Sequence, residues 1–346
     1  CIRDRDPYLV ARLGVEMAKG IQSQKVVSTP KHYVGYGDCK AARQWDARTD
    51  PHVTPSEMYY IHEYPFRKVF QEAGALGVMC AYNDYDGVPM SGNYHYLTEV
   101  LRQEMGFKGY VVSDSYAIGR LAGVHKVAAD EKESCLQALK AGLNVRTEFN
   151  KPDDYTRYIK ELVEEGKLPM KRIDELVRQI LYVKFWIGLF DQPYIGSGKD
   201  AHTIVSSALH QATALRASRE CLVLLKNEKQ MLPLADQYKR IAVIGPNANS
   251  KGYVPTHYGP RGFDNFISVY EGLKKVYAKD KNISITYSKG IDLVNKGWPE
   301  NELIRDTLTT EEQRSIAEAV RISQESDVIV AVLGAVSYTH LRAHET

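Results

Sequence analysis

Four runs of β-favouring residues, each followed by helix-forming sequence, constrain this chain more than any other feature. They cover residues 26–34, 76–82, 110–114 and 143–147. Strands separated by whole helices cannot be joined as hairpins, so they pair in parallel while the helices cross over the sheet. The helix boundaries carry their own signals. Asp6-Pro7 sets a capping carboxylate before a proline suited to the first turn, and Leu9, Leu13, Met17 and Ile21 then recur on one face. Thr54-Pro55-Ser56-Glu57 reads as a capping box for a helix reaching about Glu72, with an interruption at Pro65. Further helices stop at Gly106 and Gly142, and residues 152–185 are helical with breaks at Gly166 and Pro169.

The third run is the one with chemistry at its end. Tyr110, Val111 and Val112 lead into Ser113 and Asp114, a short buried strand closing on a carboxylate. In barrels of alternating strands and helices the C-terminal lip of a strand is where catalytic groups project, because the loops there enclose a pocket and the strand holds it rigid. The competing reading of Asp114 is a cap for the following helix. Four strand–helix units make half of a closed eight-stranded barrel, which leaves unpaired sheet edges. The expectation is therefore either an open sheet or a chain that lacks the beginning of its barrel, with the second preferred.

Beyond this region the pattern changes. Residues 189–204 are turn-rich and without periodicity, and are expected to be a linker between a half-barrel at 1–188 and an α/β sandwich at 205–334. In that second region strands are expected at 241–244, 283–287 and 328–333, with helices around 205–219, 266–277 and 310–324. Gly245-Pro246-Asn247-Ala248 lacks the lysine and the glycine spacing of a phosphate loop and reads as a plain turn.

Composition excludes several classes. The chain has 45 basic and 43 acidic residues over 346 positions and no basic stripe, so nucleic acid is not an expected partner. Apolar runs fall short of the ~18 residues that span a bilayer, and no membrane partner is expected. The five cysteines, Cys1, Cys39, Cys80, Cys135 and Cys221, are scattered and odd in number, which argues for free thiols over a zinc site or a disulfide framework. The N-terminus shows neither Met nor a signal-peptide core, so compartment is unreadable from it.

Several ordered segments carry a resemblance. Lys31-His32-Tyr33, then 78–83 (Val-Met-Cys-Ala-Tyr-Asn), Leu101-Arg102 with Gly106-Phe107-Lys108-Gly109, and Val111-Val112-Ser113-Asp114 resemble the successive signatures of glycoside hydrolase family 3. In the second region Leu224-Leu225-Lys226-Asn227, Leu232-Pro233-Leu234 and residues 241–248 resemble the opening of that family's α/β sandwich. The resemblance implies a partial (β/α)8 barrel followed by a partial sandwich. It also implies a retaining exo-β-glycosidase, β-glucosidase first and β-xylosidase as the alternative, acting on oligosaccharides or β-glycosides. Asp114 would be the nucleophile that holds the sugar as a covalent ester. Lys31, His32 and Tyr82 match positions lining the terminal-sugar subsite, where Lys and His donate to hydroxyls and Tyr offers a ring face. No cofactor is implied, since two carboxyls suffice. A homo-oligomer and a periplasmic or secreted location are compatible with the family.

The departures are informative. Where the family often has Trp after the nucleophile, this chain has Ser115 and then Tyr116. The general acid/base usually follows a strand like residues 328–333, yet the tail at 335–346 does not continue the family pattern. That tail is expected to be disordered or artefactual, and the acid/base to be absent from this chain; Glu345 is a candidate by position alone. His340 and His344 stand four apart without a third ligand, so no metal is expected. Residues 41–51, with Arg43, Trp45, Asp46 and Arg48, either border the aglycone or simply pin their loop. Lys31-His32-Tyr33-Val34-Gly35-Tyr36-Gly37 lacks the second histidine typical of the N-acetylglucosaminidase branch. Two readings of other classes remain: an aldolase using Lys31 as a Schiff base in a desolvated pocket, and a non-catalytic sugar-binding or structural fragment.

Overall fold

The computed structural model describes residues 6–38, 49–149, 151–194, 198, 201–205, 207–235, 237–249, 267–291 and 307–333. The 41–51 loop's Arg43, Trp45, Asp46 and Arg48, together with Cys1, Cys39 and the tail from Gly334, lie outside them. The chain divides into two compact units, Cys1–Ala201 and His202–Thr346.

In the first unit α1 (Pro7–Ser23) starts as its sequence dictates, with the Asp6 carboxylate accepting from Leu9 N at 3.0 Å. Its core-facing side is not the large-residue stripe. Leu9, Leu13, Met17 and Ile21 are exposed, whereas Ala11, Val15, Ala18 and Gln22 are buried. Small residues win because α1 lies close against the next helical run, α2 (residues 55–73). A Cβ at Gly14 would already sit 3.1 Å from Val69. Gln22 is satisfied there by donating to the carbonyls of Ala73 and Gly74 at 3.2 and 3.1 Å.

α2 opens with the full capping box of Thr54 and Glu57. Its irregularity precedes Pro65: residues Met58–His62 are π-helical, and an α-helix runs on from Glu63 to Ala73. Widening the turns there accommodates a proline that has no N–H to offer the preceding turn.

The sheet consists of β1 (Gly77–Met79), β4 (Tyr110–Ser115) and β5 (Val145–Thr147), all parallel and in the order β1-β4-β5. Residues 26–34 do not form the regular strand expected. They run beside β1 through Gly77 N–H to Ser28 O, Met79 N–H to Pro30 O and Tyr33 N–H to Met79 O, with a single parallel bridge at Tyr33 and Cys80. Pro30 removes one donor from the middle of the run, which interrupts the ladder. After β1 comes a small hairpin, β2 (Asp84–Tyr85) against β3 (Val88–Pro89). Asp86 and Gly87 turn it with φ of 49° and 80°, the two positive values a tight hairpin turn demands. α3 (His95–Glu104, π-helical) and α5 (Glu131–Ala141) supply crossovers, α4 (Arg120–Gly123) is a short turn after β4, and α6 (Asp153–Glu164) and α7 (Met170–Trp186) follow β5. Tyr33, Val78, Leu97, Leu101, Val111 and Leu143 share one core with Val15 of α1.

The second unit is another parallel sheet, in the order β7-β6-β8: β6 (Arg240–Ile244) lies between β7 (Ser284–Ser288) and β8 (Val328–Ala331). Helix α8 (Ala201–Ile204) straddles the unit boundary, and α9 (Ala208–Glu220) precedes the apolar run at 222–225, which is exposed. α10 (Val269–Val276) and α11 (Thr310–Gln324) each begin with a complete capping box. Ile241, Val243, Ala248 and Val328 form the local core.

Candidate active site

β4 does not keep strict alternation to its end. Val112 faces Val145 and Ser115 faces Thr147, so β4 carries one residue more than β5 between the two pairings. Such a bulge re-aims side chains, and here it turns two consecutive residues, Ser113 and Asp114, inward at 0% and 7% exposure. Ser113 Oγ accepts from Thr147 N at 2.8 Å, which fixes the bulge against β5. Asp114 is left at the C-terminal end of the strand. It caps no helix, since α4 begins only at Arg120 with Gly119 before it.

The carboxylate of Asp114 is held at both oxygens. Oδ1 accepts from Ser115 N at 2.8 Å, and Oδ2 lies 3.2 Å from His32 Nε2, both side chains being about one-tenth exposed. His32 comes from the irregular run beside β1, Asp114 from the next strand across. The fold thus brings together a histidine and an aspartate 82 positions apart in the sequence. Lys31, one residue earlier, is exposed. That exposure removes the desolvated pocket on which the Schiff-base reading depends.

Tyr82 follows β1 and stands over the same end. Its hydroxyl donates to Ser115 O at 2.7 Å, so its ring is what it can offer a ligand. Burial, then the adjacent Asp114 carboxylate, push its phenol well up, which keeps it a donor. Tyr36 lies tilted against both, with ring centroids 4.8 Å from His32 and 6.1 Å from Tyr82. Beneath them Cys80 is fully buried, and burial pushes its thiol up to about 11, so it is inert.

Three further residues shape the site without having been singled out from sequence. The Arg120 guanidinium lies 5.1 Å from the Tyr82 ring centre, and His125 Nε2–H donates to Tyr82 O at 3.0 Å. Phe149 meets Tyr116 at the end of β5. The only sequence signal for Arg120 and His125 was their position just after the Asp114 strand, which ordinary turn residues share. Among the described residues no cluster of three or more His, Cys, Asp or Glu is arranged to hold a metal ion.

Comparison with known proteins gives this geometry its context. Residues 4–183 match the glycosyl hydrolase family 3 N-terminal domain and residues 222–346 the family 3 C-terminal domain. The chain is 31% identical to a β-xylosidase of Formosa agariphila and 33% identical to a periplasmic β-glucosidase of Salmonella typhimurium. In each case the match covers 95% of this chain and 45% or 44% of the relative. Among solved structures, a β-glucosidase from Erythrobacter marinus superposes with a TM-score of 0.82 at 30% identity, over 95% of this chain and 44% of that one. A β-glucosidase from Listeria innocua in complex with glucose does so at 0.76 and 28%, over 97% and 43%. The chain thus spans less than half the length of these relatives. The first sheet and its helices correspond to part of the family's barrel and the second to part of its α/β sandwich. With both domains matched in order along it, this chain belongs to glycosyl hydrolase family 3.

Proposed function

We propose that this chain carries the nucleophile and part of the terminal-sugar subsite of a retaining exo-β-glycosidase, with β-glucosides as the preferred substrates. The observation that supports this most is the Asp114 carboxylate, inward-turned at a strand end and held by His32 and the Ser115 amide. In the reaction an Asp114 oxygen attacks the anomeric carbon, and the bond to the leaving oxygen breaks with its electron pair going to the leaving group. Water later cleaves the glycosyl ester. The Ser115 amide and His32 keep the carboxylate aimed, while the Tyr82 and Tyr36 rings offer apolar faces to the sugar. Lys31 donates to sugar hydroxyls, and His32 meets them through its other ring nitrogen. The full reaction also needs a second carboxyl as acid and base.

β-Xyloside hydrolysis is the second reading, favoured by the 31% identity to a β-xylosidase over nearly the whole chain. The two substrates differ by one hydroxymethyl group. Covalent trapping tests both at once. 2,4-Dinitrophenyl 2-deoxy-2-fluoro-β-glucoside and its xylose counterpart have leaving groups that depart without a proton, so trapping reports on the nucleophile independently of the acid. Intact mass should gain one fluorosugar and peptide mapping should place it on Asp114. Labelling of another residue in folded protein would overturn the assignment, and the faster of the two reagents names the sugar.

A further inference from the structure

The loop that follows Asp114 turns back and grips Tyr82 at both ends. His125 is buried, at 5% exposure, and its Nε2 lies 3.0 Å from the main-chain oxygen of Tyr82. A carbonyl only accepts, so Nε2 carries the proton. The imidazole is fixed from its own side, because the amides of Val124 and His125 both donate to Arg120 O, at 2.9 and 2.8 Å. At the other end of Tyr82 the hydroxyl meets the start of the same loop and donates to Ser115 O at 2.7 Å. That carbonyl belongs to the peptide unit whose N–H, on Tyr116, donates to Thr147 O at 2.9 Å. The unit is thus held at both poles and resists rotation. The next amide back along the chain, Ser115 N–H, is the one that reaches Asp114 Oδ1 at 2.8 Å. Burying an imidazole costs desolvation that an apolar side chain of similar size would not incur, so packing alone does not account for a histidine at 125.

We infer that His125 is a positioning residue for the nucleophile. It fixes Tyr82, the Tyr82 hydroxyl fixes the Ser115–Tyr116 peptide, and Ser115 in turn aims the Asp114 carboxylate. This rests on the glycosidase reading above, in which the aim of Asp114 decides how fast the glycosyl ester forms. The effect of losing His125 is partial, because Thr147 O still holds the far pole of the peptide and His32 still holds Oδ2. It falls on the rate of attack more than on sugar binding, since the hydrogen bond that His125 makes is to the main chain of Tyr82, on the opposite side of the residue from its hydroxyl.

Trapping of the whole chain by 2,4-dinitrophenyl 2-deoxy-2-fluoro-β-glucoside over a range of concentrations gives the saturating rate and the half-saturating concentration separately. His125→Phe fills the space without a donor and should lower the saturating rate roughly three- to tenfold, the equivalent of one neutral hydrogen bond, with the half-saturating concentration moving less than about twofold. His125→Gln, whose side-chain amide donates toward the same carbonyl, should recover most of that rate. Tyr82→Phe should slow trapping as well, and adding His125→Phe to it should cost little more, because the hydroxyl through which His125 acts is already gone. A folded His125→Phe protein labelled at the wild-type rate would overturn the inference, as would an equal loss with and without the Tyr82 hydroxyl, or a His125→Gln protein no faster than His125→Phe. Should His125→Phe not fold, a folded Tyr82→Phe protein with the wild-type saturating rate would overturn it too. If wild type is labelled on Asp114 by neither the glucose reagent nor its xylose counterpart, the glycosidase reading fails and takes the inference with it.

Discussion

Replacing His32 by alanine tests the geometry at its centre. The imidazole Nε2 stands 3.2 Å from Asp114 Oδ2, and both groups are largely withdrawn from water. A hydrogen bond to a charged group in such surroundings is worth about 1.5–3 kcal/mol. Losing it removes one of the two contacts that aim the carboxylate. Ser115 N–H still holds Oδ1 at 2.8 Å, while Oδ2 is free to turn away. Misaim slows attack, because positioning supplies a large part of the barrier reduction in displacement at carbon. The expected result is labelling by the dinitrophenyl fluorosugars about 10- to 150-fold slower than wild type, the rate equivalent of that range. His32→Gln, which can donate from the same side, should recover part of it. Dinitrophenolate release followed by absorbance gives the rate, and circular dichroism checks the fold. A folded His32→Ala protein labelled within ~2-fold of wild type would refute the reasoning.

Two further outcomes follow from the same structure. Gly109→Ala should destabilise the first unit by about 3 kcal/mol, because the added Cβ would overlap the Leu76 carbonyl, where β1 and β4 begin to pair; an unchanged urea midpoint would refute this. Burial raises the carboxyl of Glu63 in the folded chain despite Arg67 at 3.0 Å. The native state then holds its proton where the unfolded chain has lost it, so stability should fall as pH rises from the ordinary carboxylate range through the raised folded value. Glu63→Gln should flatten that slope in urea titrations run upward from the ordinary carboxylate range, and an unaltered slope would exclude the assignment.

Much of this architecture is legible in the sequence where the cause is local. Asp6, and Thr54 with Glu57, announce helix starts through side chains that cap amides three residues ahead, and Gly142 ends α5 at φ 116° because left-handed backbone suits glycine. The parallel order follows from alternation alone. What stays hidden depends on partners distant in sequence. The buried face of α1 is set by how closely it approaches Val69, and nothing in the spacing of Leu9, Leu13, Met17 and Ile21 reveals that. The bulge at Asp114 exists only in relation to β5, through Thr147.

The same non-local logic explains why the site could be partly read and partly not. Parallel strands deliver all their C-terminal ends to one edge, so residues remote in the chain converge if each ends a neighbouring run. His32 ends the run beside β1, Tyr82 follows β1, Asp114 ends β4, and Phe149 follows β5. A residue type with obvious chemistry at such an end can be picked out beforehand, as with Asp114; His32 is pointed to only by the family resemblance. Tyr116 and Phe149 could not, because aromatic residues at strand ends are ordinarily core. Their exposure is what distinguishes them, and exposure is a property of the folded neighbourhood, not of the residue.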